Sequence, residues 1–244
     1  MKNRLDIEMV KRGLISSRSQ AESWIKLGKV LVNGQVIIKS GHFVDENSRI
    51  ELMADNQYVS RAGLKLESVA KILKLDFRDK IVLDVGSSTG GFTDYAIRNG
   101  AQKVYAVDVG TEQLHPSLRG NPKVELHEKT DIRDFYLDEK PNIVLIDVSF
   151  ISLREILPHV YNYLSDEKTQ IVAMVKPQFE AGKGQTNKGI IKNDSMRRQI
   201  LKDFEDWSRQ YFMIDSKRDS DVAGAKGNQE RFYLLSPMIK TTKV

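Results

Sequence analysis

Short apolar segments alternate with longer mixed segments over the middle of the chain. The apolar segments are the candidate strands 81–85, 103–109, 124–129, 142–148 and 170–176. Apolar strands that are separated by helix-length segments form a parallel sheet with helices on both faces. A helix near 194–210 follows, and two extended runs at 211–219 and 230–236 can add an antiparallel hairpin to one edge. The sequence therefore predicts an α/β fold with a mostly parallel sheet and an antiparallel edge strand.

The first strand leads into a glycine-rich turn in the segment IVLDVGSSTGGFTDYAI, residues 81–97. Glycine lets the backbone approach a ligand closely, and the following helix carries partial positive charge at its N-terminus. The spacing G-x-x-x-G-G differs from the G-x-G-x-x-G of dinucleotide-binding folds. Asp84 at the strand end would repel a pyrophosphate and attract a cationic ligand. We expect the ligand to contact Asp84 and the turn residues Gly86, Ser88, Gly90, Gly91 and Phe92.

The next two strands also end in carboxylates. Asp108 closes VYAVDVG beside Val109, where it can accept hydrogen bonds from both hydroxyls of a ribose. Asp131 follows the third strand in EKTDIRDF, where an acid can hold an adenine amino group. A ligand with a cationic head, a ribose and an adenine but no phosphate is S-adenosylmethionine. The alternative is that the glycines are structural in another doubly wound fold.

Four charged residues are candidates for the chemistry. Asp147 ends the fourth strand in LIDVSFISL, and Lys176 ends the fifth, where Pro177 keeps it extended. A charged side chain at the end of an apolar strand costs free energy to bury, so its presence there indicates a functional role. Lys65 precedes the first strand and Glu230 begins the last extended run. Considered alone, each has a simpler interpretation: Lys65 as a lysine on the solvated face of a helix, and Glu230 as a charged residue on an edge strand.

The excess positive charge lies at the amino-terminal end. Residues 1–40 hold eight Lys/Arg and three Asp/Glu, and this difference of +5 equals the net charge of the whole chain. A basic end indicates a polyanionic partner such as RNA, because each neutralised phosphate releases counterions. A charged surface that only keeps the protein in solution is the alternative.

The same end predicts helices at 1–15 and 17–28, a hairpin at Asn33-Gly34 and a further strand in DENSRIELM. Over RLDIEMVKRGLISSRSQAESWIKLGKVLVNGQVI this pattern resembles the RNA-binding module first known from ribosomal protein S4. A generic small helical cap is the alternative. The resemblance implies that the residues facing RNA are Arg4, Arg18, Lys26, Lys29 and Asn33.

Across nearly its whole length the chain resembles the TlyA family of ribosomal RNA methyltransferases, historically called haemolysins. The motifs are SRAGLKL, DVGSSTGGFTD, VYAVDVGTEQL, DVSFISLREILP, KPQFEAG and GAKGNQERF. Asp131 stands where the family more often has asparagine, and SDVAGAKGN lacks a proline common before its glycine. The family implies methyl transfer from S-adenosylmethionine to the ribose 2′-hydroxyl of cytidine in ribosomal RNA. Shorter members of this family are associated with the large subunit alone, so the resemblance together with the short ends implies the large subunit, with the small subunit as the alternative.

The order lysine, aspartate, lysine, glutamate resembles the tetrad of ribose 2′-O-methyltransferases of the FtsJ type. The resemblance implies that the catalytic residues are Lys65, Asp147, Lys176 and Glu230. Burial and a second ammonium make a lysine easier to deprotonate, and we place Lys176 nearest the hydroxyl, with the carboxylates orienting the lysines. The expected architecture is an S4-like α+β RNA-binding domain at 1–56, a linker at 57–62, and a Rossmann-like, FtsJ-type methyltransferase domain at 63–244.

The amino-acid composition excludes several kinds of site and several kinds of protein. The chain has no cysteine, which excludes disulfides and thiolate metal sites, and its four histidines are scattered. No apolar run approaches the roughly 18 to 20 residues that span a bilayer, and the amino terminus lacks the apolar core of a signal peptide. We therefore expect a cytoplasmic, metal-free enzyme that acts on ribosomal RNA or ribosomal subunits. A non-catalytic RNA-binding protein and a membrane-active haemolysin are the alternatives.

Overall fold

The computed structural model describes residues 2–15, 18–26, 28–53, 58–182, 184–187, 189–191, 193–222, 224 and 227–239. Its amino-terminal module contains two helices and five short strands. In chain order these are β1 Asn3–Arg4, α1 Leu5–Lys11, α2 Arg18–Lys26, β2 Val30–Val32, β3 Gln35–Val36, β4 Phe43–Val44 and β5 Ile50–Leu52. Strand β1 pairs with β4, and β2 lies between β3 and β5, all antiparallel.

The helices of the module are shorter than the sequence predicts. The segment 1–15 contains only the seven residues of α1, because Asn3–Arg4 pairs with β4 instead and Gly13 turns the chain with φ +69°. In the second helix the predicted first residue, Ser17, lies outside the described residues, and Gly28 follows the helix with φ +68°. The predicted hairpin is present, and Asn33 and Gly34 both have positive φ in its turn.

The rest of the chain forms a seven-stranded sheet with helices on both faces. The helices and strands of this part of the chain, of which β11 and β12 lie outside the seven-stranded sheet, are α3 Arg61–Ala70, β6 Ile81–Val85, α4 Gly91–Arg98, β7 Lys103–Val107, α5 Pro116–Arg119, β8 Val124–His127, β9 Ile143–Ile146, α6 Leu157–His159, β10 Gln170–Val175, α7 Pro177–Glu180, β11 Thr186–Asn187, β12 Ile190–Ile191, α8 Asp194–Ser208, β13 Phe212–Asp219 and β14 Arg231–Pro237. The sheet order is β13-β14-β10-β9-β6-β7-β8.

The predicted mostly parallel sheet with an antiparallel edge is confirmed. Strands β10, β9, β6, β7 and β8 run parallel, and β14 pairs antiparallel with β10 and with β13. Helices α3 and α4 pack on one face, while α6, its π-helical continuation Val160–Leu164 and α8 pack on the other. Between β8 and β9 the chain makes a 3-10 turn at Ile132–Asp134 rather than a longer helix.

Helix α3 links the sheet to the amino-terminal module. Ser60 caps this helix, because its Oγ accepts a hydrogen bond of 3.3 Å from the backbone N–H of Ala62. Leu66 and Val69 pack against the sheet, whereas Leu64 is buried in the core of the amino-terminal module together with Val222. The residue before Lys65 is therefore fixed by the module. In the described part of the chain, no helix is both long and apolar enough to cross a membrane.

Candidate active site

Two neighbouring cavities lie at the carboxyl ends of the parallel strands. The larger has a volume of about 390 Å³ and the smaller about 140 Å³, and Gly86, Ser88, Asp147 and Ser149 line both. Strand β6 has β9 on one side and β7 on the other, so the strand order reverses at this point. Open α/β sheets bind their ligands in the crevice at such a reversal.

The predicted residues divide between the two cavities. Asp108, Val109 and Asp131 line the larger one, whereas Asp84, Phe92 and Lys176 line the smaller one. Gly90 and Gly91 line neither: Gly90 precedes α4 with φ +91°, and a β-carbon at Gly91 would meet the α3 residue Ala62 at 2.7 Å. These two glycines shape the turn and let α4 pack closely on α3.

Gly86 brings the turn close to the fourth strand. Its φ is +82°, and a β-carbon there would lie 2.8 Å from the backbone oxygen of Asp147. A side chain at this position would therefore be strained and would also collide with the cavity wall. The requirement for glycine follows from this close approach.

Asp84 is a fully buried carboxylate at the floor of the smaller cavity. Its Oδ2 accepts a hydrogen bond of 2.6 Å from the hydroxyl of Thr93, and its Oδ1 has no hydrogen-bond partner among the described residues. Burial raises the pKa of Asp84 to about 7, and the charges of Asp147 and Asp108 act in the same direction. An orphaned buried oxygen of this kind suits a cation in the cavity.

Asp108 fixes the glycine turn through the backbone. Its Oδ2 accepts a hydrogen bond of 2.8 Å from the N–H of Ser88, and its Oδ1 accepts one of 2.7 Å from the N–H of Gly110. Strand β7 ends at Val107 instead of at residue 109. Each carboxylate oxygen has a second lone pair that can accept from a ligand hydroxyl.

Asp131 already has a strong partner. Its Oδ2 lies 2.6 Å from Nη2 of Arg133 and its Oδ1 lies 3.0 Å from Nε of the same side chain. Hydrogen bonds from Arg133 hold the pKa of Asp131 below its usual range. The carboxylate is therefore an ionised group at the far end of the larger cavity, and a ligand amino group would share it with Arg133.

The four predicted catalytic residues form two ion pairs. Nζ of Lys176 lies 2.6 Å from Oδ1 of Asp147 and donates a hydrogen bond of 2.8 Å to the hydroxyl of Ser149. Nζ of Lys65 contacts Oε2 of Glu230, and both of these side chains are buried. Lys65 and Glu230 are not among the residues that line the two cavities. Lys176 and Asp147 are thus the pair in reach of a ligand.

Strand register joins the two pairs. Val175 of β10 pairs with Arg231 of β14, so the next opposed positions along these antiparallel strands are Lys176 and Glu230. Glu230 thereby connects Lys65 on α3 to the strand end that carries Lys176. The structure brings all four residues together at the ends of β9, β10 and β14.

Sequence reasoning missed three residues of the site. Ser149 holds the amine of Lys176, and Thr93 holds Asp84. Phe150 is 92% exposed at the larger cavity with φ +65°, and its ring centroid lies 5.2 Å from that of Phe179. Ser149 and Phe150 lie two and three residues after Asp147 in DVSF, and an aromatic residue so close to a strand-end aspartate is a signal that sequence reading can use.

The residues predicted to face RNA are engaged to different extents. Arg4 and Arg18 both form ion pairs with the buried carboxylate of Asp6, at 2.9 and 2.8 Å. Lys29 lies 3.8 Å from Glu67 on α3, and Asn33 accepts a hydrogen bond from the N–H of Arg49. Lys26 is exposed at the end of α2. Both arginines that are predicted to face RNA therefore also stabilise the fold of the module.

Comparisons with known proteins agree with this architecture. The model of the FtsJ-like methyltransferase family matches residues 58–236, and that of the S4 domain matches residues 3–50. The 23S rRNA (cytidine-2′-O)-methyltransferase TlyA of Campylobacter jejuni is 41% identical over 179 residues, which make up 72% of this chain and 70% of that protein.

Two further relatives cover nearly the whole chain. The 16S/23S rRNA (cytidine-2′-O)-methyltransferase TlyA of Mycobacterium tuberculosis is 38% identical over 239 residues, 95% of this chain and 89% of that protein. A solved structure from Streptococcus thermophilus, provisionally named a hemolysin, is 38% identical with a TM-score of 0.72 and covers 97% of this chain and 89% of its own. The chain therefore belongs to the FtsJ-like methyltransferase family and carries an S4 domain at its amino-terminal end.

Proposed function

We propose that this protein transfers a methyl group from S-adenosylmethionine to the ribose 2′-hydroxyl of cytidine in ribosomal RNA. The observation that carries the proposal is that two lysine–carboxylate ion pairs, Lys176–Asp147 and Lys65–Glu230, lie next to each other at the strand ends beside the cavities. Relatives named as ribosomal RNA (cytidine-2′-O)-methyltransferases support the choice of cytidine and of ribosomal RNA. They do not favour a non-catalytic or a membrane-active role.

The residues of the two cavities fit S-adenosylmethionine from end to end. Asp131 would hold the adenine amino group, and Asp108 would accept hydrogen bonds from the ribose hydroxyls. Gly86 lets the turn lie against the backbone of Asp147 at the cavity wall, and the orphaned oxygen of Asp84 suits the cationic end. A larger cavity of about 390 Å³ is within the range of small-molecule sites.

The chemistry assigned to the chain is the handling of one proton. S-adenosylmethionine, when bound, supplies a methyl group that its positive sulfur has activated for transfer. The ribose oxygen would bond to the methyl carbon as the bond between that carbon and the sulfur breaks, which leaves S-adenosylhomocysteine, and the hydroxyl proton would pass to Nζ of Lys176 in its neutral form. Asp147 and Ser149 hold that amine at the mouth of the smaller cavity. Positioning by these groups should supply much of the rate.

The RNA is held by other parts of the chain. We assign the exposed Lys26 and the partly exposed Arg4, Arg18 and Lys29, with Asn33, to the phosphate backbone of ribosomal RNA. The exposed ring of Phe150 beside Asp147 is suited to stack on a base that has left its helix. We propose the large-subunit RNA as the main target and the small-subunit RNA as a second one.

The reaction can be tested with ribosomal subunits that lack the modification. The purified protein should transfer radiolabelled methyl from S-adenosylmethionine to the subunit RNA, and nuclease digestion should yield 2′-O-methylcytidine. An RNA substrate with 2′-deoxycytidine at the mapped position should bind but accept no methyl group. Methylation of the deoxy substrate would place the target on a base atom and would overturn the ribose assignment.

The Asp108→Ala variant tests the cofactor site. Loss of one or two charge-assisted hydrogen bonds, each worth about 1.5 to 3 kcal/mol, should weaken S-adenosylmethionine binding from tenfold to more than a hundredfold. Calorimetric titration measures the affinity. The matched control is Asp76→Ala, because Asp76 is an exposed carboxylate paired with Arg78 ahead of β6. Equal affinities in the two folded variants would remove Asp108 from the site.

A further inference from the structure

The carboxylate of Glu230 lies close to the backbone of Gly224. A β-carbon added at Gly224 would lie 2.6 Å from Cδ of Glu230, inside the 3.0 Å that real β-carbons keep. Gly224 is not among the residues with positive φ, so its backbone conformation is open to other residue types. The carboxylate of Glu230 is the nearest obstacle to a side chain at this position, and the backbone oxygen of Asn228 follows at 3.0 Å.

Hydrogen bonds fix Gly224 and Glu230 relative to each other. The N–H of Gly224 donates to the backbone oxygen of Asn228 at 2.9 Å, and the N–H of Ser220 donates to that of Glu230 at 3.0 Å. The side chain of Asn228 ties this loop to the β11–β12 hairpin, because it donates to the oxygen of Gly189 and accepts from the N–H of Ile191. Gly224 and Asn228 are therefore held in place and have little freedom to retreat from a new side chain.

We propose that Gly224 is a positioning residue for methyl transfer. Its bare α-carbon lets the carboxylate of Glu230 lie against the loop and face Lys65. A methyl group at Gly224 would push the carboxylate off this position and would break the Lys65–Glu230 pair opposite Lys176. This inference rests on the catalytic roles proposed above for Lys65 and Glu230.

The variant Gly224→Ala in the full-length protein tests the proposal. We expect its kcat for methyl transfer to fall at least tenfold, while the KM for RNA and the Kd of S-adenosylmethionine change less than about twofold. The matched control is Gly120→Ala, since Gly120 has φ −96° and an added β-carbon there meets nothing within 4 Å. Wild-type kcat in folded Gly224→Ala, beside an inactive Glu230→Ala, would overturn the proposal.

A double-mutant cycle separates positioning from a general effect on the fold. In a Glu230→Ala background the Gly224→Ala change should have no further effect on kcat, because the group that it displaces is absent. A further loss of the same size would show that Gly224 acts through the fold, against the proposal. Full activity of Glu230→Ala alone would instead contradict the role proposed for Glu230.

The shorter aspartate provides a test even if Gly224→Ala folds poorly. Glu230→Asp withdraws the carboxylate by one methylene and relieves the collision. Adding Gly224→Ala to Glu230→Asp should therefore leave folding and kcat close to those of Glu230→Asp alone. An alanine penalty as large in this background as in the wild type would overturn the proposal.

Discussion

Replacing Lys176 with alanine is expected to reduce methyl transfer by about 10²- to 10⁴-fold, the usual contribution of a positioned acid–base group. S-adenosylmethionine should still bind, because Lys176 is assigned to the ribose hydroxyl. Its amine lies at the smaller cavity and is held by Asp147 at 2.6 Å and by Ser149 at 2.8 Å. Single-turnover transfer to ribosomal RNA and calorimetric titration of the cofactor measure the two effects separately.

Two control variants isolate the proton-transfer role. Lys176→Arg keeps a positive charge beside Asp147 but cannot give up its proton, so it should be as inactive as the alanine variant and better folded. Lys103→Ala removes a lysine of β7 that pairs with Glu125 outside the cavities, and it should be fully active. Substantial transfer by Lys176→Arg would show that charge alone suffices, and Lys176 would not be the base.

The sheet could be predicted because an apolar segment of the sequence marks each of its parallel strands. Five apolar segments gave the five parallel strands, and their ends exceeded the true ends by no more than about two residues. Asp108 and Asp147 directly follow β7 and β9, and both line the larger cavity. Their backbone N–H groups still donate to His127 and Val85 of the neighbouring strands, so the sequence signal extends past the strand ends.

The pairing of charged groups could not be predicted, because it depends on tertiary contacts. Sequence order groups Lys65, Asp147, Lys176 and Glu230 without stating that Lys65 pairs with Glu230 and Lys176 with Asp147. In the same way, Arg4 and Arg18 count as free positive charge in the sequence, whereas both bind the buried Asp6. Partner choice is decided by register and burial, which a charge count does not contain.

The contact between the two parts of the chain was also outside the reach of sequence reasoning. Leu66 and Val69 of α3 face the sheet, while Leu64 of the same helix enters the core of the amino-terminal module. Val222 enters the same core eight residues before Glu230. Leu64, which precedes Lys65, and Val222 are thus packed into the module that is proposed to bind RNA.

Asp84→Asn is expected to stabilise the protein, and the gain should grow with pH. The folded state holds the proton of Asp84 up to a pKa of about 7, whereas an unfolded aspartate loses it near 3.8. Between these values unfolding releases a proton, so raising the pH favours the unfolded wild type. The asparagine has no proton to lose, and the difference between the proteins should rise from near zero at about pH 4 to at most about 4 kcal/mol above pH 7.

Urea unfolding of both proteins at pH 5, 6, 7 and 8 measures this difference directly. Glu180, whose buried carboxyl also has a raised pKa, contributes equally to both proteins and cancels in the comparison. A stability difference that is constant over this range would show that Asp84 is ionised in the folded protein throughout. Because the same carboxylate is proposed to face the cationic end of S-adenosylmethionine, its ionisation is favoured once a cation fills the cavity. The wild type should therefore gain cofactor affinity between pH 6 and 8, and the asparagine variant should not, which joins the stability cost of a buried aspartate to the binding that it serves.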